Sequence, residues 1–265
     1  MKTALVTGCS GGMGNAVVRR LSSEGYRVAG LDIREPENGE DFIFIRCDLT
    51  DGESVKRAAS EVGEKLGELD CIVNTAGKYD LDSLVEMTDE AVRSIFDVNV
   101  FASVRVNRLF LPLLKEGGRI VIVSSELAPL DPLPFTGIYA VTKHALESYA
   151  YSLRMELQLL GHPVVVIRPG AVRTGLLDVS TRRLDDFTKN TKLYSCNAAR
   201  FKRIVDSVEA KSVEPEKIAK VIGKALDTRR PRYVYKVNRN PLLLLLNALP
   251  DRMQCAVIKM ILTKK

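Results

Sequence analysis

"TALVTGCSGGMG" occupies residues 3–14. Its first residues are an apolar run of strand length, the middle is a glycine-rich turn, and from Met13 to Ser23 apolar residues recur at helical spacing. A strand that passes through a glycine turn straight into a helix opens an α/β unit. Gly8, Gly12 and Gly14 read G-x-x-x-G-x-G. Glycines there permit a tight turn and let the main chain approach a pyrophosphate. The helix start then offers free N–H groups and a positive dipole end to the anion. Such a turn alone is weak evidence. Its place, after a strand and before a helix, is the one a dinucleotide site requires.

Outward from this unit the same alternation continues. Strand-like runs lie at 26–32 ("YRVAGLD"), 42–48 ("FIFIRCD"), 69–77 ("LDCIVNTAG"), 119–125 ("RIVIVSS") and 163–170 ("PVVVIRPG"). Helical patterns fit 52–66, two stretches between 89 and 114, 139–160 and 214–228, and "RYVYKV" (232–237) reads as a last edge strand. The continuous Val/Ile runs imply strands covered on both faces, hence a parallel sheet. The expectation is α/β: a single Rossmann-like, doubly wound parallel sheet flanked by helices over residues 1–240. A polar, helix-prone segment at 175–211 is expected to form a lid. Residues 241–265 are expected to form an amphipathic tail interrupted by Pro241 and Pro250.

Asp32 ends the second strand, 18 residues past Gly14. A carboxylate at that point accepts hydrogen bonds from both hydroxyls of an adenosine ribose and repels a 2′-phosphate. This favours NAD over NADP. Arg34 is close enough to receive a phosphate instead.

The 265 residues carry a formal charge of +6 with 46% hydrophobic residues, ordinary for a globular domain. From residue 173 onward 21 Lys and Arg meet 9 Asp and Glu, a balance of +12, leaving −6 on the first 172 residues. A basic third of this kind attracts acidic substrates, anionic membranes or nucleic acid, or is a solvated surface; the surface reading is preferred and nucleic acid is discounted. Five separated cysteines with no CxxC spacing, and a start with no signal-like run, point to free thiols in the cytoplasm. "PLLLLLNALP" (241–250) is too short to span a bilayer. The two histidines sit in no metal-binding frame, so no metal is expected.

"TGCSGGMG", "NTAG" (74–77), "SS" (124–125), "YAVTK" (139–143) and "RPGAVRT" (168–174), in this order at strand ends, resemble the short-chain dehydrogenase/reductase family. The likeness spans about residues 1–230, and "SYAYSLRMEL" is similar to hydroxysteroid- and retinol-type members. Thr75 stands where the family has a second asparagine. The resemblance implies Tyr139 as general acid/base, with Lys143 one helical turn on and sharing its face. It implies that this ammonium and the positive nicotinamide lower the phenol pKa from roughly 10. It further implies Ser125 as hydrogen-bond partner of the substrate oxygen and Asn99 as holder of a water on the lysine proton relay. Cofactor contacts are implied at Gly8, Ser10, Gly11, Gly12, Met13, Gly14, Asp32 and Arg34. Others are implied at Asp48, Leu49, Asn74, Ala76, Gly77, Tyr139, Lys143, Pro169, Gly170, Val172 and Thr174.

Other residues carry less. Cys9 in the turn reads as a small packing residue, with redox sensing as the alternative. His144 points about 100° from Lys143 and reads as packing or surface. Glu126 either touches substrate or braces its loop. The apolar loop at 127–137 and the lid suggest a small hydrophobic alcohol or ketone, steroid-like or lipid. A 3-oxoacyl thioester reductase and a non-catalytic NAD-binding regulator are the alternatives. A homodimer or homotetramer is expected. The tail packs on the domain or a partner subunit in the preferred reading, with a membrane surface as the alternative.

Overall fold

In a computed structural model the described residues are 1–36 and 42–263, those at 176–183 by backbone alone. The chain alternates strands and helices: β1 (Thr3–Thr7), α1 (Gly12–Ser23), β2 (Arg27–Asp32), β3 (Ile43–Arg46), α2 (Gly52–Leu66), β4 (Leu69–Asn74), α3 (Asp89–Phe96), α4 (Ala102–Phe110), β5 (Leu114–Val123), α5 (Gly137–Leu157) and β6 (Val164–Pro169). Then follow α6 (Gly175–Asn190), α7 (Ser195–Glu209), α8 (Pro215–Asp227), β7 (Val234–Val237), α9 (Pro241–Asn247) and α10 (Asp251–Thr263). Among the described residues the strands form one sheet in the order β3-β2-β1-β4-β5-β6-β7. Every pairing is parallel.

Successive strand residues point to opposite faces, and here both faces are apolar. Val6, Val73, Val121 and Val165 pack under α1 and α8. Leu5, Ile72, Ile120 and Val164 pack under α2, α4 and α5. Full burial of such side chains contributes about 1.5–3 kcal/mol each. A third cluster lies off the sheet, where Leu81 and Phe135 meet Leu184, Phe187, Ala198 and Phe201 of α6 and α7 and Leu262 of α10.

Winding reverses between β1 and β4, so the loops after β1, β4, β5 and β6 open on one edge around that crevice. Two details differ from the expected elements. β5 starts at Leu114, not 119: Leu114 pairs with Leu69, and the register shifts before Cys71. Gly117 takes φ 72° in that irregular stretch. Between α3 and α4, residues Asp97–Phe101 form a π-helical turn. No helix among the described residues is long and apolar enough to cross a membrane.

Candidate active site

The turn after β1 is fixed by close backbone contacts. Gly8 takes φ 69°, and a Cβ there would stand 2.9 Å from the Cα of Ala76. A Cβ on Gly14 would stand 2.0 Å from the carbonyl oxygen of Gly8. Gly12 lies against Thr174 in the same way, a Cβ there falling 2.8 Å from its methyl carbon. The turn, the end of β4 and the start of α6 thus meet at one place. Gly11 occupies the cap position of α1 with no side-chain cap, which leaves the helix-start N–H groups directed at the crevice. This glycine cradle fits a dinucleotide pyrophosphate. Cys9 is buried against Gly30, which is the packing role.

Asp32 ends β2 beside the turn. Its carboxylate accepts the N–H of Ser10 at 3.1 Å and the N–H of Arg34 at 3.1 Å. The hydroxyl of Ser10 donates to the carbonyl of Arg34 at 2.5 Å. Asp48 follows β3, its carboxylate held below the usual range by hydrogen bonds from the hydroxyl and N–H of Thr50. The carbonyl of Leu49 accepts from Arg105 at 2.6 Å. Asn74 lies deeper than these. It is buried, and its amide donates to Asn107 at 2.9 Å, on the α4 side of the sheet. Thr75, where the family has asparagine, donates its hydroxyl to the carbonyl of Thr7 at 2.5 Å and so ties β4 to β1.

Ser125 follows β5 and is buried; its hydroxyl accepts the N–H of Leu127 at 3.2 Å. Tyr139 sits in the first turn of α5 and hydrogen-bonds Ser125. The neighbouring hydroxyl of Ser124 is buried with no hydrogen-bond partner among the described residues. Lys143 is buried one turn on, its Nζ 5.8 Å from the Tyr139 ring centre and donating to the carbonyl of Val123 at 3.3 Å. Burial pulls its ammonium down to about 8, opposed by Glu147. Glu147 is itself paired with Arg168 at 2.8 Å.

The expected lowering of the tyrosine pKa belongs to the site with a positive nicotinamide bound; the chain by itself shows the opposite direction. Burial pushes the Tyr139 phenol up to about 12; the Ser125 hydrogen bond opposes this and the charge of Glu126 adds to it. In the chain alone desolvation prevails. Tyr79, which the sequence did not single out, packs edge-on against Tyr139 with ring centres 4.5 Å apart.

Asn99 lies in the π-helical turn and is fully buried. Its amide oxygen accepts the N–H of Lys78 at 2.6 Å, and its nitrogen donates to the carbonyl of Lys78 at 2.9 Å and to Thr142 at 3.0 Å. It clamps the loop after β4 to α5. A methyl group on Gly77 would come within 3.4 Å of the Lys143 Nζ and 3.5 Å of the Asn99 oxygen, so all three face one small space.

Met13, Gly77, Ser125, Tyr139, Lys143, Pro169, Gly170, Val172 and Thr174 share one cleft. It is also lined by the apolar Phe201, Ile204, Val205 and Val208 of α7 and Leu243 of α9, with Glu209 of α7 beside them. Glu126 also lines it, but its carboxylate accepts the main-chain N–H of Asn240 at 2.7 Å, so it braces the loop. His144 pins the same loop through the carbonyl of Ala128 at 2.9 Å. The lid side chains at 176–183 lie outside the described residues.

Comparison with known proteins agrees with this arrangement. A family profile described as short chain dehydrogenase matches residues 2–184. The chain is 28% identical over 256 residues to a 3-ketodihydrosphingosine reductase of Bacteroides thetaiotaomicron, covering 94% of this chain and 93% of the relative. It is 30% identical over 271 aligned positions to an NADPH-dependent 3-dehydrocapnine reductase of Ornithobacterium rhinotracheale, covering 96% and 94%. A short chain dehydrogenase from Burkholderia cenocepacia, solved in complex with NADP, superimposes with a TM-score of 0.71 at 26% identity, covering 89% of this chain and 96% of that one. The glycine cradle, the parallel sheet and these likenesses converge: the chain belongs to the short-chain dehydrogenase/reductase family, oxidoreductases that bind an NAD(P) nucleotide.

Proposed function

We propose that the protein interconverts a secondary alcohol and a ketone on a hydrophobic substrate, with NAD as the preferred dinucleotide and Tyr139 as general acid/base. The observation that carries this is the meeting of Ser125, Tyr139 and Lys143 at the junction of the glycine cradle and the apolar wall. Bound in the cleft, the nicotinamide supplies or takes up the hydride. The chain's own groups manage the oxygen and its proton. Ser125 is placed to hydrogen-bond the substrate oxygen. Tyr139 gives that oxygen a proton in reduction and removes it in oxidation. A phenol that stays neutral to about pH 12 is ready to act as an acid. To act as a base it needs positive charge nearby, which Lys143 provides when protonated. Asn99 holds the loop against α5 and, in this reading, a water that returns protons to Lys143.

Asp32 supports NAD, because its carboxylate stands beside the turn where a 2′-phosphate would be repelled. The relatives include one named as NADPH-dependent, so both dinucleotides belong in the test. Among hydrophobic substrates the apolar wall favours a lipid-like chain. The names of the two relatives above describe reduction of a 3-keto or 3-dehydro group, which fits a ketone carried on such a chain. The exposed Phe101, Val141, Tyr151 and Met155 on and beside α4 and α5 support a homo-oligomer through those helices.

The test follows reduced-nicotinamide absorbance with NAD(H) or NADP(H) and a panel of alkyl ketones and alcohols, hydroxysteroids and 3-oxoacyl thioesters. Turnover of a long-chain or steroid ketone, lost in Tyr139→Phe, is the expected result. Activity confined to small polyols would sink the substrate reading. Tight dinucleotide binding with no turnover of any class would sink the enzyme reading.

A further inference from the structure

We infer that α9 is the end wall of the substrate pocket, strapped there by two carboxylates of the loop that follows Ser125, and that Leu243 sets how long an apolar substrate the pocket accepts. This rests on the function proposed above.

The strap has two fixings. At the start of α9 the carboxylate of Glu126 accepts the N–H of Asn240, the cap residue of that helix, at 2.7 Å. At its end the carboxylate of Asp131 accepts from Asn247 at 2.6 Å and, less closely, from Gln254 of α10 at 3.2 Å. Both acids belong to one short loop, and both partners lie more than 110 residues further on. The lead-in to α9 is fixed as firmly. Asn238 takes φ 55° and donates to the carbonyls of Ala171 at 2.9 Å and Lys211 at 3.1 Å. Its own carbonyl passes so near Gly170 that a Cβ there would stand 2.0 Å from it and 2.8 Å from Glu126. The chain therefore threads between the end of β6 and the carboxylate before α9 begins.

The strap gives the helix two unlike faces. Leu243 lines the cleft that holds Ser125 and Tyr139, together with Val205 and Val208 of α7. Leu242 and Leu245 face away, 69% and 66% exposed. A wall made by one leucine on a tethered helix acts as a stop. Each methylene that fits beneath it gains burial, and each that does not must displace the helix against its fixings. One buried methylene is worth about a fourfold change in affinity.

The experiment measures kcat/KM of the full chain for alkyl ketones of increasing length. Leu243→Ala removes three carbons, so the optimum is expected to move to longer chains. A ketone two methylenes beyond the wild-type optimum should gain roughly tenfold, from the same burial scale. Leu242→Ala, on the outer face, should leave the profile in place. Glu126→Ala should flatten the discrimination between lengths, and Glu126→Gln, which keeps an oxygen for the Asn240 N–H, should restore it. A Leu243→Ala profile that rises or falls equally at every length would overturn the inference, as would a Glu126→Gln variant no better than Glu126→Ala.

A second measurement needs no turnover. The chain contains no tryptophan. Leu243→Trp therefore places a single reporter on the wall, and Leu242→Trp places one on the outer face. Long-chain ketone or alcohol should shift the emission of the first to the blue and leave the second unchanged. If wild type turns over no ketone yet Leu243→Trp responds in this way, the proposed reaction falls and the wall stands. If neither variant responds, the wall falls whatever the activity.

Discussion

On the dinucleotide side of the cleft, main chain meets main chain: Gly8 lies on Ala76 and Gly14 on the carbonyl of Gly8, with no room for a single carbon. On the substrate side, the walls are side chains of α7 and α9, and the latter is held by hydrogen bonds from Glu126 and Asp131. The first half is shaped by close packing, which yields nothing to substitution. The second is shaped by tethers that can be lengthened or cut. One half serves a ligand common to a whole family of oxidoreductases; the other serves whatever the individual enzyme must recognise.

That contrast can be broken at its seam, where Tyr139 stands. Tyr139→Phe removes the proposed proton donor without altering either wall. The expected loss in kcat is about 10²–10⁴-fold, with dinucleotide affinity preserved in a fluorescence titration. Equal loss of both would show that the two halves are not separable.

Lys143, beside it, links the contrast to pH. Its pKa is about 8 in the fold against 10.5 for the free side chain. Below pH 8 both states are protonated and the folded state carries the full cost of a buried ammonium. Between about 8 and 10.5 the unfolded chain holds more protons than the folded one, so stability rises with pH across that window. A difference of roughly 2.5 pH units corresponds to about 3 kcal/mol. Above pH 10 the raised pKa of Tyr139 works in the other direction: the folded state then holds the extra proton, and stability falls towards pH 12. Lys143→Met should abolish the rise, which denaturant unfolding at pH 7, 8, 9 and 10 would check.

A smaller effect separates the two halves directly. Gly14→Ala overfills a position with no space, and a cost of about 1–3 kcal/mol is expected. The melting temperature should fall by about 2–4 °C per kcal/mol, together with dinucleotide affinity. Leu242→Ala on the exposed face of α9 should change stability by about 0.5 kcal/mol or less. Comparable losses at the two sites would erase the distinction drawn between them.

Asp32→Ser tests the dinucleotide side through cofactor choice. It should move the ratio of kcat/KM for NADP over NAD upward by about tenfold, equivalent to about 1.4 kcal/mol. An unmoved ratio would take Asp32 out of cofactor choice and leave it as the brace that holds the N–H groups of Ser10 and Arg34.

The two halves also differed in what the sequence disclosed. The parallel sheet was legible because buried strands need unbroken runs such as "VVVIRP", and the glycine cradle because its turn sits between its strand and its helix. Ser125, Tyr139 and Lys143 were singled out through the family resemblance, and they line one cleft. The clamp of Asn99 on Lys78 was not legible, because a π-helical turn has no local signature and its partner lies 21 residues back. The straps on α9 were hidden for the same reason, their partners being 114 and 116 residues away. One signal was available: Glu126 and Asp131 are acids in an otherwise apolar, proline-rich loop, and charges placed there need partners. The burial that raises the tyrosine pKa in the chain alone was not legible either, because spacing along a helix reports a shared face, while burial and the charge of Glu126 come from elsewhere in the fold.

The contact between Gly14 and Gly8 has a genetic consequence. Every amino acid other than glycine carries a Cβ, so no codon change that alters residue 14 is conservative. A saturation library should show position 14 as an empty column, every replacement depleted regardless of polarity or size. Gly175 at the start of α6 has no positive φ and, among the described residues, nothing within 4 Å of where a Cβ would stand, and its column should remain populated. Across the chain such a map would trace where main chain lies on main chain, and it would do so without any ligand being supplied.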